Sequence, residues 1–124
     1  MNKKLAILII LVIPSIAWGE QVKLTFYAND PRCIGEFFDG FTATGVRADW
    51  RLNICAVSSR PEDRLFPLHS IILVPGYGIL VVEDVGGGIG KNHLDILVED
   101  YETAIGMGVI RVDLGKILVI SKGR

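Results

Sequence analysis

The 124-residue sequence predicts a mainly β protein, a small closed barrel or sandwich with one short helix, behind an N-terminal secretory leader. Three observations carry this expectation. Seven or eight short segments are apolar with period two or nearly continuous in Ile, Leu and Val, the patterns of half-buried and fully buried strands. Turns rich in glycine and proline separate them. One segment alone, after Asp100, has both a helix start and a helix stop. Closure is preferred because open edges this rich in Ile and Val invite aggregation.

Residues 1–19 have the three parts of a signal peptide: Lys3 and Lys4, an apolar run over 5–13, and small residues at Ala17 and Gly19 before a cut. An uncleaved anchor is the alternative, but the apolar stretch over 5–18 contains Pro14 and has 14 residues, where a spanning helix needs roughly 20. Without the leader, about 105 residues remain, about 47% apolar, ordinary for one globular domain. Eleven basic residues then face fourteen acidic ones, a net charge of about −3. No basic excess is left to condense on phosphate, which argues against nucleic acid as a partner and against adsorption to an anionic membrane.

Residues 20–40 read as an N-terminal strand and loop extension. Val22, Leu24 and Phe26 alternate along a strand over 22–28, which Asn29, Asp30 and Pro31 break. The domain proper runs over 41–124. Residues 37–45, rich in Phe and Thr, and 53–58 are expected as strands. A polar loop over 58–67 has at most one helical turn near Glu62. Residues 70–74 and 78–84 are buried strands split by Pro75-Gly76-Tyr77-Gly78, and a flexible or left-handed glycine loop over 86–90 leads to a strand over 94–98. Asp100 caps a helix over 101–107, ended by Gly106 or Gly108. Strands over 109–114 and 117–120 close the chain.

Cys33 and Cys55 both lie beyond the leader, in a compartment that permits oxidation. A bridge between them would stabilise by roughly 2–4 kcal/mol. Two separate buried thiols are the alternative, because a pair without geometry proves nothing. Two cysteines and two scattered histidines, His69 and His93, do not make a metal site, and no cofactor is expected.

The run into Gly90-Lys91 resembles a phosphate loop only superficially. Val85 stands where its first glycine belongs, and Asn92 where Ser or Thr should follow the lysine. A dinucleotide fingerprint fails at Lys91, so no nucleotide is expected. What survives is a pair of carboxylates, Asp84 and Asp95, interrupting apolar strands on either side of the glycines. Acids in such positions are paired, hydrogen-bonded or functional, and binding loop amides is the plain structural alternative. Facing one pocket, they would keep one proton near neutrality, as a general acid of glycosidic cleavage requires.

The order Thr42-Ala43-Thr44-Gly45, Ala56-Val57, Pro67-Leu68, Gly76-Tyr77-Gly78, the stretch from Glu83 to Gly90, and His93-Leu94-Asp95 resembles the 3D (Asp-Asp-Asp) domain. That domain occurs in the membrane-bound lytic transglycosylase A group and in small bacterial cell-wall proteins. The resemblance covers roughly residues 41–120 and is most specific from Asp84 to Asp95. It implies a double-psi β-barrel and an exported protein of the periplasm or cell wall. The implied activity is lytic cleavage of the β-1,4 bond between N-acetylmuramic acid and N-acetylglucosamine in peptidoglycan, leaving a 1,6-anhydro sugar. Glycan strands are the implied partner, with other cell-wall proteins as further candidates.

The second and third family acids fall on Asp84 and Asp95. Ser58 stands where the first belongs, with Asp63 in an insertion nearby. Because the attacking group is the sugar's own C6 hydroxyl, one acid can do both proton transfers. Asp84 is expected to hold the proton and Asp95 to raise or orient it. Thr44, Gly86, Gly87, Tyr77 and Lys91 are the expected substrate contacts: Thr44 to a catalytic acid, the glycines to the sugar backbone, Tyr77 by stacking, Lys91 to a muramyl carboxylate. Trp50 and Tyr101 are further stacking candidates and Arg47 a further cation, each with a core or solvated role as the plain alternative. His93 reads as a loop residue. Loss of the first acid with retention of the barrel would leave a non-enzymatic wall-binding module, the second expectation for function.

Overall fold

A computed structural model describes residues 19–36 and 38–123, so the expected leader falls, apart from Gly19, outside the described residues. The alternation at the start of the described chain forms β1 (Gln21–Ala28), with Val22, Leu24 and Phe26 on one face. Asp30 then starts a single-turn helix, α1 (Pro31–Ile34), by accepting a hydrogen bond from the Arg32 amide at 2.8 Å ahead of a proline at the first helical position. This turn was expected only as a break.

The remaining elements are β2 (Ile54–Ser58), β3 (Ile71–Val74), β4 (Gly78–Gly86), β5 (His93–Val98), α2 (Tyr101–Met107), β6 (Ile110–Asp113) and β7 (Leu118–Ser121). Short 3₁₀ turns cover Trp50–Leu52, Pro61–Asp63 and Leu114–Lys116. Asp100 caps α2 through the Thr103 amide at 2.8 Å, and Gly108, at φ +66°, ends it.

The protein is mainly β. Its strands form one curled, mixed sheet in the order β6-β1-β5-β2-β4-β3-β7. β1 runs parallel to β5 and β2 parallel to β4, whereas β2 and β5 meet antiparallel. The strand assigned to an N-terminal extension is therefore inside the sheet, between β6 and β5. The ladder is open, because β6 and β7 are its two ends and do not pair with each other.

Both faces of the central strands are buried, which is why they read as nearly continuous apolar runs. Val22, Leu24, Phe26, Cys55, Val57, Val82, Leu94 and Ile96 pack on one face with Ala104 of α2. Tyr27, Ile54, Ala56, Leu97 and Ile89 pack on the other with Ala48.

One expected strand is absent. Residue 37 lies outside the described residues, and 38–45 form turns with a lone bridge between Phe41 and Arg47. Gly40 and Gly45 sit at φ +83° and +88°, and Asp39 accepts from the Phe41 amide at 2.9 Å. Left-handed glycines end extended backbone whatever the propensity of the Phe and Thr between them. The glycine loop corrects in the other direction: none of Gly86, Gly87, Gly88 and Gly90 has a positive φ.

Candidate functional site

Register builds the site. Thr25 of β1 lies opposite Asp95 of β5, Asp95 opposite Ala56 of β2, and Ala56 opposite Asp84 of β4, so four adjacent strands contribute one residue each to a single row. Strands lie about 4.8 Å apart, which separates the two acidic positions by about 10 Å of backbone with only a methyl group between them. The small side chain at 56 leaves the space above it open. The cleft there has a volume of about 420 Å³ and is lined by Tyr27, Cys33, Ile34, Phe41, Ala56, Asp84, Val85, the glycines 86–88, Ile89, His93 and Asp95.

Asp84 reaches this face through a β-bulge. Cys55 pairs with Val82, but the next residue, Ala56, pairs with Asp84, so Glu83 is an extra residue on β4. Strict alternation would turn Asp84 to the side of Val82, into the apolar core; the bulge turns it to the side of Ala56.

The Asp84 carboxylate accepts three hydrogen bonds, from the Tyr27 hydroxyl at 3.0 Å and from the amides of Ala43 at 3.0 Å and Val85 at 2.9 Å. Burial, then the charge of Asp84, pushes the Tyr27 phenol far above its ordinary range, so it remains a donor. Asp95 is pushed up to about 6: burial dominates, repulsion from Asp84 adds to it, and the hydrogen bond from Thr25 opposes it. Thr25 donates its one hydroxyl proton to Asp95 Oδ1 at 2.9 Å, so it accepts from His93 Nε2 at 2.7 Å. Burial and the nearby Lys23 lower the His93 pKa.

The other expected residues divide. Gly86 and Gly87 line the cleft. The amides of Gly87 and Gly88 donate no backbone hydrogen bond among the described residues, and a methyl group added at either would meet nothing within 4 Å. Gly86 is different: a Cβ there would lie 2.9 Å from Ile89 Cδ1, so the Ile89 side chain packs directly over it.

Thr44 does not hold an acid of the cleft. Its hydroxyl donates to Glu83 Oε2 at 2.8 Å, while the neighbouring Ala43 amide holds Asp84. Tyr77 packs on Phe26, ring centroids 5.6 Å apart, away from the acids, and Lys91 lies 3.8 Å from Asp63 outside the cleft. Asp63 accordingly brings no third carboxylate to Asp84 and Asp95, and Ser58 is buried, with its Oγ accepting from the Arg60 amide at 3.1 Å. Tyr101 carries the Arg32 guanidinium 3.9 Å above its ring, tying α1 to α2.

The cysteines do not bridge. Cys55 points into the core on the side of Val57, whereas Cys33 is exposed at the cleft, on the side of Ala56. The period of two along β2 puts the sheet itself between the two thiols. Burial pushes the Cys55 thiol up to about 12.

Thr25 and Tyr27 are the site residues that sequence reasoning missed, and His93, expected in a loop, instead begins β5 and is buried at the cleft. Thr25 and Tyr27 occupy the positions of β1 opposite its apolar face, so the alternation marks their side but not what lies above it. Among the described residues no group of three or more His, Cys, Asp or Glu side chains is placed to hold a metal ion, and no helix is long and apolar enough to cross a membrane. No family model matches the chain, and no curated protein matches it either.

Proposed function

We propose that this protein is an exported, peptidoglycan-cleaving lytic transglycosylase of the 3D-domain type, using one acid for both proton transfers. The observation that carries the reading is the row Thr25-Asp95-Ala56-Asp84, in which two carboxyl groups share an open cleft and one titrates near 6. Two adjacent parallel pairs, β1 with β5 and β2 with β4, support the finer expectation of a double-psi arrangement. The leader over residues 1–19 supports export to a periplasm or cell wall.

The geometry favours Asp95 as the proton carrier, with Asp84 as the neighbouring hydrogen-bond acceptor, the reverse of the roles expected from sequence. Protonated Asp95 donates to the leaving glycosidic oxygen as the bond from the muramyl C1 breaks. The resulting carboxylate then takes the proton of the C6 hydroxyl as its oxygen bonds to C1, which returns Asp95 to its starting form and leaves the 1,6-anhydro ring. Asp84, held as an acceptor by Tyr27 and two amides, faces the positive charge that develops at C1. Each positioned proton transfer supplies about 10² to 10⁴ in rate, so orientation and electrostatics supply the rest. The unoccupied amides of Gly87 and Gly88 provide donors for sugar oxygens.

The second reading is a wall-binding module without catalysis. It is favoured by Ser58 at the position of the first family acid and by the engagement of Asp63 with Lys91. Incubation of the purified protein with peptidoglycan, followed by mass spectrometry of the soluble products, separates the two. Release of 1,6-anhydro-muropeptides by wild type and not by Asp95→Asn is the expected result. A protein that sediments with the wall and releases nothing is the binding module.

A further inference from the structure

The strands that carry the acids lead, at their other end, to a second groove. β2 and β5 run antiparallel, so Asn53, three residues before Ala56, and Val98, three after Asp95, lie at one end, about 10 Å along the strands from the acid row. A groove of about 260 Å³ opens there, walled by Trp50, Tyr77 and Leu80 and edged by Asn53, Glu99 and Thr103.

Trp50 is 43% exposed, on a turn whose backbone is held in place. Its 3₁₀ turn begins at Asp49, whose carboxylate accepts from the Arg51 amide at 3.0 Å and from the Arg51 guanidinium. The turn ends at Asn53, in the left-handed conformation, whose amide donates to the Trp50 carbonyl at 3.2 Å. Tyr77 is braced by its contact with Phe26.

We infer that this groove is an accessory carbohydrate site that takes a neutral sugar unit of the N-acetylhexosamine class. The exposed Trp50 indole beside the half-buried, braced Tyr77 ring offers stacking area with little ordering left to lose. The rim side chains of Asn53 and Glu99 engage no side-chain hydrogen bond among the described residues, which leaves an amide and a carboxylate free for ring hydroxyls and an acetamido group, whereas the Thr103 side chain is engaged by Asp100. A purely apolar peptide segment would desolvate those two groups without partners, a penalty of about 1–3 kcal/mol for each. No lysine or arginine lines the groove, so an anionic ligand finds no counter-charge. The site does not depend on the acid row: a chain that cuts no glycan still binds sugar here.

The test titrates the purified protein with chitotetraose, a β-1,4-linked tetramer of N-acetylglucosamine, while following the Trp50 indole N–H resonance, identified by its loss in Trp50→Phe. A saturable shift is expected in wild type and equally in Asp95→Asn. By calorimetry, Trp50→Ala should weaken binding about fivefold to tenfold. Glu99→Ala should weaken it by a smaller factor, with both variants keeping the dispersed amide spectrum of the folded chain. The inference is overturned by an indole that does not move in millimolar sugar, by an affinity that Trp50→Ala and Glu99→Ala leave unchanged, or by an indole shift that Asp95→Asn abolishes, since that ligand sits on the acids.

Discussion

Asp95 is the residue on which the chemistry turns, and its proton is also a stability statement. Its folded value of about 6 lies above the ordinary 3.8, so the native state holds the proton more tightly than the unfolded chain. That stabilisation is complete below about pH 4 and is lost as pH rises through about 6, an effect of up to about 3 kcal/mol. Asp95→Asn keeps an acceptor for Thr25 and removes the charge. It should raise unfolding free energy by about 1–3 kcal/mol at pH 8 and change little at pH 4, while product release falls at least about 10²-fold. Urea melts at the two pH values, paired with muropeptide analysis, measure both; a variant that is less stable at pH 8 contradicts the buried-acid account. Wild-type turnover should decline above about pH 6, as Asp95 loses the proton it must donate. The thiols give an independent readout. A disulfide-exchange reagent should count one reactive thiol in the native chain, Cys33, and two after denaturation, and reductant should leave the melting temperature unchanged.

At the scale of elements, the glycine loop and the bulge before it decide where the acids sit. Gly86→Ala sets the added methyl against the end of the Ile89 side chain, which must turn aside, so the cost should fall at the low end of overpacking, about 1 kcal/mol. Gly87→Ala meets no neighbour and no backbone strain, so folding stability should hold or rise by about 0.5 kcal/mol through a less flexible unfolded chain. Its methyl nevertheless enters the cleft, and turnover should drop. Thermal melts and product release on the two variants separate a loop needed for folding from one needed for substrate; full activity in Gly87→Ala would show that sugar does not approach there. Much at this scale was legible in the sequence. The alternation at Val22, Leu24 and Phe26, the β-branched runs around Ile72 and Val82, and the cap at Asp100 are local patterns, and local patterns choose between strand and helix. The segment around Thr42 was misread for the same reason: Phe and Thr favour extended backbone, but two glycines held left-handed by neighbouring contacts override them.

For the molecule as a whole, the open ladder leaves β7 as an edge with Leu118, Val119 and Ile120 exposed, beside the exposed Leu73 and Ile79. Such an edge favours pairing between chains. Val119→Lys should lower the weight-average mass at high protein concentration in sedimentation while shifting stability by no more than about 0.5 kcal/mol; an unchanged mass in a self-associating sample would place the contact elsewhere. By itself the amino-acid order determined the β class, most strand positions, the helix capped by Asp100 and the two acids flanking the glycines, because each depends on residues within a turn or a few pleats of one another. Tertiary structure alone decided that Thr25 and Tyr27 would serve those acids, that an extra residue at Glu83 would turn Asp84 out of the core, that Asp95 would be the one buried enough to keep its proton, and that Cys33 and Cys55 would stay on opposite sides of the sheet. Those outcomes come from register between strands far apart in the chain, where a shift of one position reverses every side chain, and no local pattern specifies it.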